Sequence, residues 1–249
     1  MPLVKLILFF ISITYLTTVT LADTYNEKRK FNIYAKLPIL PKIAVMEINT
    51  SLIVNNNDYF YEFNIESKNI VDFINQVDGQ GTVIGKINDY YRPTKYEYKY
   101  VRKNKEKFVR LTYDDNNVSD TYIKPKINKS ELTPIKNEML FNTIDPSTFF
   151  LNVLGYQNIS NCEATFRIFD GKRRYDVIFD KFNVNEKTNN IECEASQKRL
   201  GGYKIDEKEK DIFASSDYIK IIYENNSTYD FIGYEAKNGN IKIIIEEIK

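Results

Sequence analysis

The segment Ile168-Phe169-Asp170-Gly171-Lys172-Arg173-Arg174-Tyr175-Asp176 is the densest cluster of polar side chains in the sequence. Asp170 or Asp176 paired with Arg173 or Arg174 could clasp an anionic ligand, because a guanidinium fork matches a carboxylate or phosphate. The simpler reading is a hairpin turn with a solvated charge cluster, since Asp-Gly is a two-residue turn signal. The carboxylate pairs Asp114-Asp115 and Glu246-Glu247 could trade protons as acid and base. Nothing in the sequence positions them, and surface charge accounts for them. Tyr96, Tyr98 and Tyr100 could stack on bases or sugars, but the interleaved Lys95, Glu97 and Lys99 mix signs, which suits one face of a sheet. The run Asp206-Glu207-Lys208-Glu209-Lys210-Asp211 mixes signs more closely still and reads as a solvated loop.

Composition excludes much else. The chain has 249 residues and no His, which removes His–nucleophile dyads, His metal ligands and His proton shuttles together. With 2 Cys and 9 Gly it cannot build a cysteine-rich zinc site or a glycine-rich phosphate loop, so no metal and no cofactor is expected. Lys+Arg number 35 and Asp+Glu 34, so no phosphate-neutralising surface for nucleic acid is expected.

Residues 1–22, MPLVKLILFFISITYLTTVTLA, place one Lys before an apolar run and small residues before Asp23. This is the pattern of a cleavable export signal, and the run is short for a membrane-spanning helix. No Cys sits at the cleavage point for lipid attachment. The expectation is a protein exported from the cytoplasm whose residues 23–249 form one domain. Cys162 and Cys193 are then an even pair in an oxidising compartment and are expected to bond.

The elements that must position these groups read mainly as strands. Apolar and polar residues alternate in 43–54, 59–66, 94–101, 107–113, 162–169 and 174–180, and further strands fit 31–36, 82–89, 119–123, 191–199, 218–224, 229–235 and 240–248. Asn55-Asn56-Asn57, Asp170-Gly171 and Asn238-Gly239 supply hairpin turns. Two helices interrupt them. Residues 68–77 place Ile70, Phe73, Ile74 and Val77 on one face. In the second helix Asp145 caps the start, Pro146 takes the first position, and Gly155 falls just past the end. Residues 124–144 read as a long connection. The fold expected is mainly β: one strongly curved antiparallel sheet, an incomplete, half-open barrel, with two short helices packed at the opening.

In a simple meander of 162–169, 174–180 and 191–199, Cys162 and Cys193 would lie on strands flanking the middle one, roughly 9–10 Å apart at ~4.8 Å per strand. That exceeds disulfide reach. Either the cysteines are not bonded, or Cys162 lies in a crossing loop, or the meander is wrong.

Several motifs, taken in order, resemble an exported bacterial family, domain of unknown function 3108. They are Gly79-Gln80-Gly81 through Arg92-Pro93-Thr94-Lys95-Tyr96, the helix opened by Asp145-Pro146-Ser147-Thr148, Cys162 to Asp176 with its Phe-Asp-Gly and Arg-Tyr-Asp, and then Cys193 and Gly202-Tyr203. The resemblance covers about residues 30–248. It implies a Gram-negative envelope protein related in fold to the lipoprotein-carrier and lipoprotein-receptor half-barrels. The recurring Cys pair of the family favours the disulfide. No catalytic residue comes with the resemblance, and no enzymatic activity is expected.

Two readings follow. The first is a non-enzymatic periplasmic binding protein that holds an acyl chain, a lipoprotein tail or another hydrophobic ligand in its barrel, with peripheral membrane contact. The candidate lining is Met46, Ile48, Leu52, Tyr61, Phe63, Phe149, Phe150, Phe166 and Val177, with Asp170, Arg173 and Arg174 as a polar cluster. The second is an envelope assembly factor that binds a protein partner and keeps a filled barrel.

Overall fold

The computed structural model describes residues 24–68, 77–102, 105–155, 162–204 and 218–248. The segment expected to be an export signal, most of the helix expected over 68–77 and the 206–211 charge run lie outside the described residues.

Among the described residues there are thirteen strands: β1 (Thr24–Lys36), β2 (Ile43–Asn55), β3 (Asp58–Ser67), β4 (Val77–Ile87), β5 (Tyr91–Arg102), β6 (Lys105–Asp114), β7 (Asn117–Lys124), β8 (Ala164–Phe169), β9 (Arg174–Val184), β10 (Ile191–Gly201), β11 (Tyr218–Tyr223), β12 (Phe231–Asn238) and β13 (Ile241–Glu247). One helix, α1 (Pro146–Leu154), and two 3-10 turns, Lys129–Glu131 and Asn137–Leu140, fall between β7 and β8. The strands form one sheet in the order β7-β6-β5-β4-β3-β2-β1-β13-β12-β11-β10-β9-β8. It is thus two antiparallel meanders, joined where β1 pairs with both β2 and β13.

The turn residues do what their types allow. Asn56 and Gly239 take left-handed conformations at the β2–β3 and β12–β13 hairpins. In β4 the residues Gly79, Gly81 and Gly85 share one face. Rings from neighbouring strands lie on these bare backbones: a Cβ on Gly81 would come 2.3 Å from Phe63 Cζ, and one on Gly79 would come 2.6 Å from the Tyr98 hydroxyl. The rings lie directly on the strand there because no Cβ stands between backbone and ring.

Strands β7 and β8 end the sheet without pairing to each other. The long connection fills the gap, bridging Asn117 through Phe141 and Ile168 through Ile144. Two groups of buried residues line the concave face. One is built on β1 and β8–β13, the other on β2–β7. Helix α1 spans both, Val153 packing in the first and Leu151 in the second. The expectation of two helices at the opening is corrected in this respect: among the described residues there is one α-helix, and it lies inside the curl. The opening is occupied by the connection. Single-sequence patterning shows which face of a helix is apolar, not what that face meets.

The β8–β9–β10 meander is real, and the cysteines bond nonetheless. Cys162 lies before β8, in a left-handed conformation, and pairs with Cys193 on β10 with Cα atoms 5.1 Å apart. The crossing-loop alternative is the one that holds. The apolar alternation through Cys162 continues the pattern of β8 beyond its hydrogen-bonded length.

Candidate functional site

Helix α1 is the centre of the interior. Asp145 caps it, its carboxylate accepting from the Ser147 and Thr148 amides at 2.9 Å each and from the Thr148 hydroxyl at 2.6 Å. The Tyr59 hydroxyl lies 3.5 Å from Thr148 Oγ1. Asn152 treats β5 as a strand would: its Oδ1 accepts from the Tyr91 amide at 2.9 Å, and its Nδ2 donates to the Tyr91 carbonyl at 3.1 Å. The Tyr223 hydroxyl donates to the Val153 carbonyl at 2.6 Å. The helix is therefore tied by polar bonds to both meanders. Asp145 and Asn152 are 0% exposed, which is sustainable only because each is so bonded. Burial pushes the Asp145 carboxyl up to about 6, against the opposing hydrogen bonds from Thr148 and Ser147.

The helix divides the interior. Toward its N-terminus lies a cavity of about 370 Å³ walled by Phe63, Tyr98, Phe149, Phe150, Val177 and Ile219, with Asp170, Arg173 and Gln197 supplying polar groups. Such a volume suits a small-molecule site, and mostly apolar walls with few polar groups are the usual composition. Tyr98 stacks on Tyr100 with centroids 4.9 Å apart. Asp170 binds its own hairpin, accepting from the Lys172 and Arg173 amides at 2.8 and 2.6 Å and from Arg173 Nε at 2.7 Å. The side-chain amide of Gln197 has both its nitrogen and oxygen buried and makes no hydrogen bond. A buried amide left so costs free energy in the unliganded protein. A ligand group able to donate or accept there recovers it.

Beyond the C-terminal end of α1 lies a second cleft of about 560 Å³, lined in part by Arg29, Leu52, Leu154 and Phe231. It is more polar: Arg29 Nε sits 2.6 Å from Glu27, and Arg29 Nη1 sits 3.8 Å from Glu247.

The residues expected to line one ligand site divide among several places. Phe63, Phe149, Phe150 and Val177 meet at the cavity with Asp170 and Arg173. Leu52 lines the cleft at the other end. Tyr61 is fully buried beside Phe63, and Phe166 is locked between Phe149 and Phe179, so both are core. Met46 and Ile48 are half-buried and pack against the core rather than facing the cavity. Arg174 leaves the polar cluster altogether. Its neighbour in sequence faces inward, so Arg174 points to the other face, where the connection covers it. Its side chain is 1% exposed, donating to the Met139 carbonyl at 2.7 Å and to the Tyr175 carbonyl and Asp176 at 2.6 Å each. It clamps the 3-10 turn onto the β8–β9 hairpin, with Arg167 reaching the Glu138 and Met139 carbonyls at 3.4 Å. Gln197 was not among the expected site residues, although it continues the inward alternation of Ile191, Cys193 and Ala195 on β10, and a polar residue in that phase is the signal that marks it.

Among the described residues no group of three His, Cys, Asp or Glu could hold a metal ion, and no helix is long and apolar enough to cross a membrane.

No curated protein matches this sequence. Among solved structures, the fold is similar to that of a beta-barrel-like protein of domain of unknown function DUF1849 from Brucella abortus, with a TM-score of 0.51 and 11% identity, over 92% of this chain and 98% of that one. This likeness shows the barrel-like fold alone. The family model described as a protein of unknown function (DUF3108) matches residues 30–245, nearly the whole described domain, and the chain belongs to that family.

Proposed function

We propose that this protein is a non-enzymatic binding protein of the bacterial envelope, exported to the periplasm by its N-terminal segment, that holds a single amphiphile in the cavity at the N-terminal end of α1. The observation that carries this reading is the pairing of an aromatic-walled cavity of about 370 Å³ with an unpartnered, buried Gln197 amide. The walls suit a hydrocarbon segment, each buried methylene contributing ~0.8 kcal/mol. The Gln197 amide suits an ester, amide or hydroxyl head, while Arg173 at the same wall is already paired with Asp170 at 2.7 Å.

The test is native mass spectrometry with lipid extraction on the protein purified from a periplasm, together with binding of cis-parinaric acid to the delipidated protein. The expected result is a stoichiometric adduct. It should be lost in Val177→Phe, which fills the cavity, and weakened ~5- to 10-fold in Gln197→Leu, by about one hydrogen bond. Gln197→Leu should also raise the stability of the unliganded protein. A clean apo mass together with no probe binding refutes the reading. It would favour a partner-binding envelope factor with a filled barrel.

A further inference from the structure

The β1–β2 hairpin ends in Lys36-Leu37-Pro38-Ile39-Leu40-Pro41-Lys42-Ile43, and all eight residues are exposed. Ile39 is 95% exposed, the most exposed large apolar residue described, and Leu37, Leu40 and Ile43 are each more than two-fifths exposed. Isolated apolar residues on a surface are ordinary, but four on one protruding turn are a patch that contact with water does not favour. Pro38 and Pro41 fix their φ angles, and the Leu40 amide donates to the Leu37 carbonyl at 3.3 Å, so the turn is pre-shaped. Little conformational freedom is left to lose on insertion.

The surroundings are basic. Lys36 on β1 lies opposite Lys242 on β13, which lies opposite Lys237 on β12. Three like charges abreast repel one another. Lys242 is offset by Glu235 at 2.6 Å, and Lys42 by Glu246. Lys36 and Lys237 make no ion pair with any described residue. No acidic residue lies between Lys36 and Met46. An apolar tip with a cationic shoulder matches an anionic bilayer surface, where aliphatic side chains enter the acyl boundary and lysines meet headgroup phosphates.

We infer that the β1–β2 turn is a membrane-docking wedge that seats this end of the barrel on an anionic lipid surface. The turn lies at the sheet end formed by the close of β1, β3 and β5 and the opening of β2, β9 and β11. The cavity is lined toward that same end by Ile65, Tyr100, Tyr175 and Ile219. Docking therefore turns the cavity toward the bilayer. The wedge stands on its own observations and does not need the cavity to be occupied.

The test is flotation of the full mature protein with vesicles of phosphatidylcholine, with and without phosphatidylglycerol. Wild type is expected to float with the anionic vesicles and less so at high salt. Ile39→Asp and Leu40→Asp should each lower partitioning at least ~10-fold with unchanged thermal unfolding. Phe182→Asp, at an exposed apolar position on the opposite sheet end, should leave it unchanged. Val177→Phe should float as wild type does, which separates this proposal from ligand binding in the cavity. Failure of wild type to float, or flotation indifferent to both turn variants, overturns it. So does a self-association in solution that Ile39→Asp abolishes without any vesicle binding, which would assign the turn to a second copy.

Discussion

Asp145→Asn isolates the proton linkage of the buried helix cap. The folded carboxyl is raised from 3.8 to about 6 by burial. Between those values the native protein keeps a proton that the unfolded chain has released. This contribution to stability is therefore complete below the unfolded value and lost as pH rises through the folded one. About two units at 1.36 kcal/mol each give ~3 kcal/mol lost between about pH 4 and pH 7. No discount for solvent screening applies, since Asp145 is 0% exposed. Asparagine keeps an acceptor for the Ser147 and Thr148 amides, so the helix start survives. Ionised groups elsewhere, such as Glu47 and Glu192, whose carboxyls are held low in the fold, oppose this trend in both proteins and cancel in the difference. The assay is urea unfolding of both proteins across that pH range, followed by far-ultraviolet circular dichroism and tyrosine fluorescence, there being no Trp. Wild type should lose ground to the variant by ~3 kcal/mol as pH rises. A flat difference curve, or one that rises with pH, refutes the argument and shows that the Asp145 site is effectively solvated.

Three further outcomes are expected. Arg174→Met leaves the Met139 carbonyl and Asp176 without the buried guanidinium and should cost ~3–5 kcal/mol in chemical denaturation; Arg174→Lys should not restore it, because a point charge cannot serve the fork's separate acceptors. Reduction, or Cys162→Ser with Cys193→Ser, opens a bridge spanning 31 residues of sequence and should cost ~3–4 kcal/mol, read as a shift in urea midpoint with and without reductant. Gly202 has φ +81° and a Cβ there would lie 1.9 Å from the Lys172 carbonyl oxygen, whereas Gly239 has φ +57° and open space. Gly239→Ala should therefore cost only ~1–2 kcal/mol of backbone strain, and Gly202→Ala distinctly more, in parallel thermal melts; equal costs would refute the close approach.

The local elements were written plainly in the sequence. Alternation in 43–54, 59–66 and 107–113 reports a pleated surface buried on one face, and it needs no knowledge of neighbours. Asn56, Gly171 and Gly239 mark turns because few other residues adopt left-handed backbone without cost. The Asp145-Pro146 start of α1 is a property of one turn of chain. The cysteine pairing was legible only as a choice among alternatives.

What tertiary structure decided is what each face meets. Periodicity assigns Phe63 and Tyr61 to the same side of β3, but only the helix passing over them makes one a cavity wall and the other core. Arg173 and Arg174 are adjacent and chemically alike, yet Arg173, held by Asp170 in the turn, goes to the cavity, and Arg174, the first residue of β9, goes under the connection. Gln197 acquires its meaning from a cavity assembled from strands distant in sequence. Side-chain type and local spacing are set by chemistry along the chain, whereas a cavity is the volume that packing leaves between elements and has no local signature.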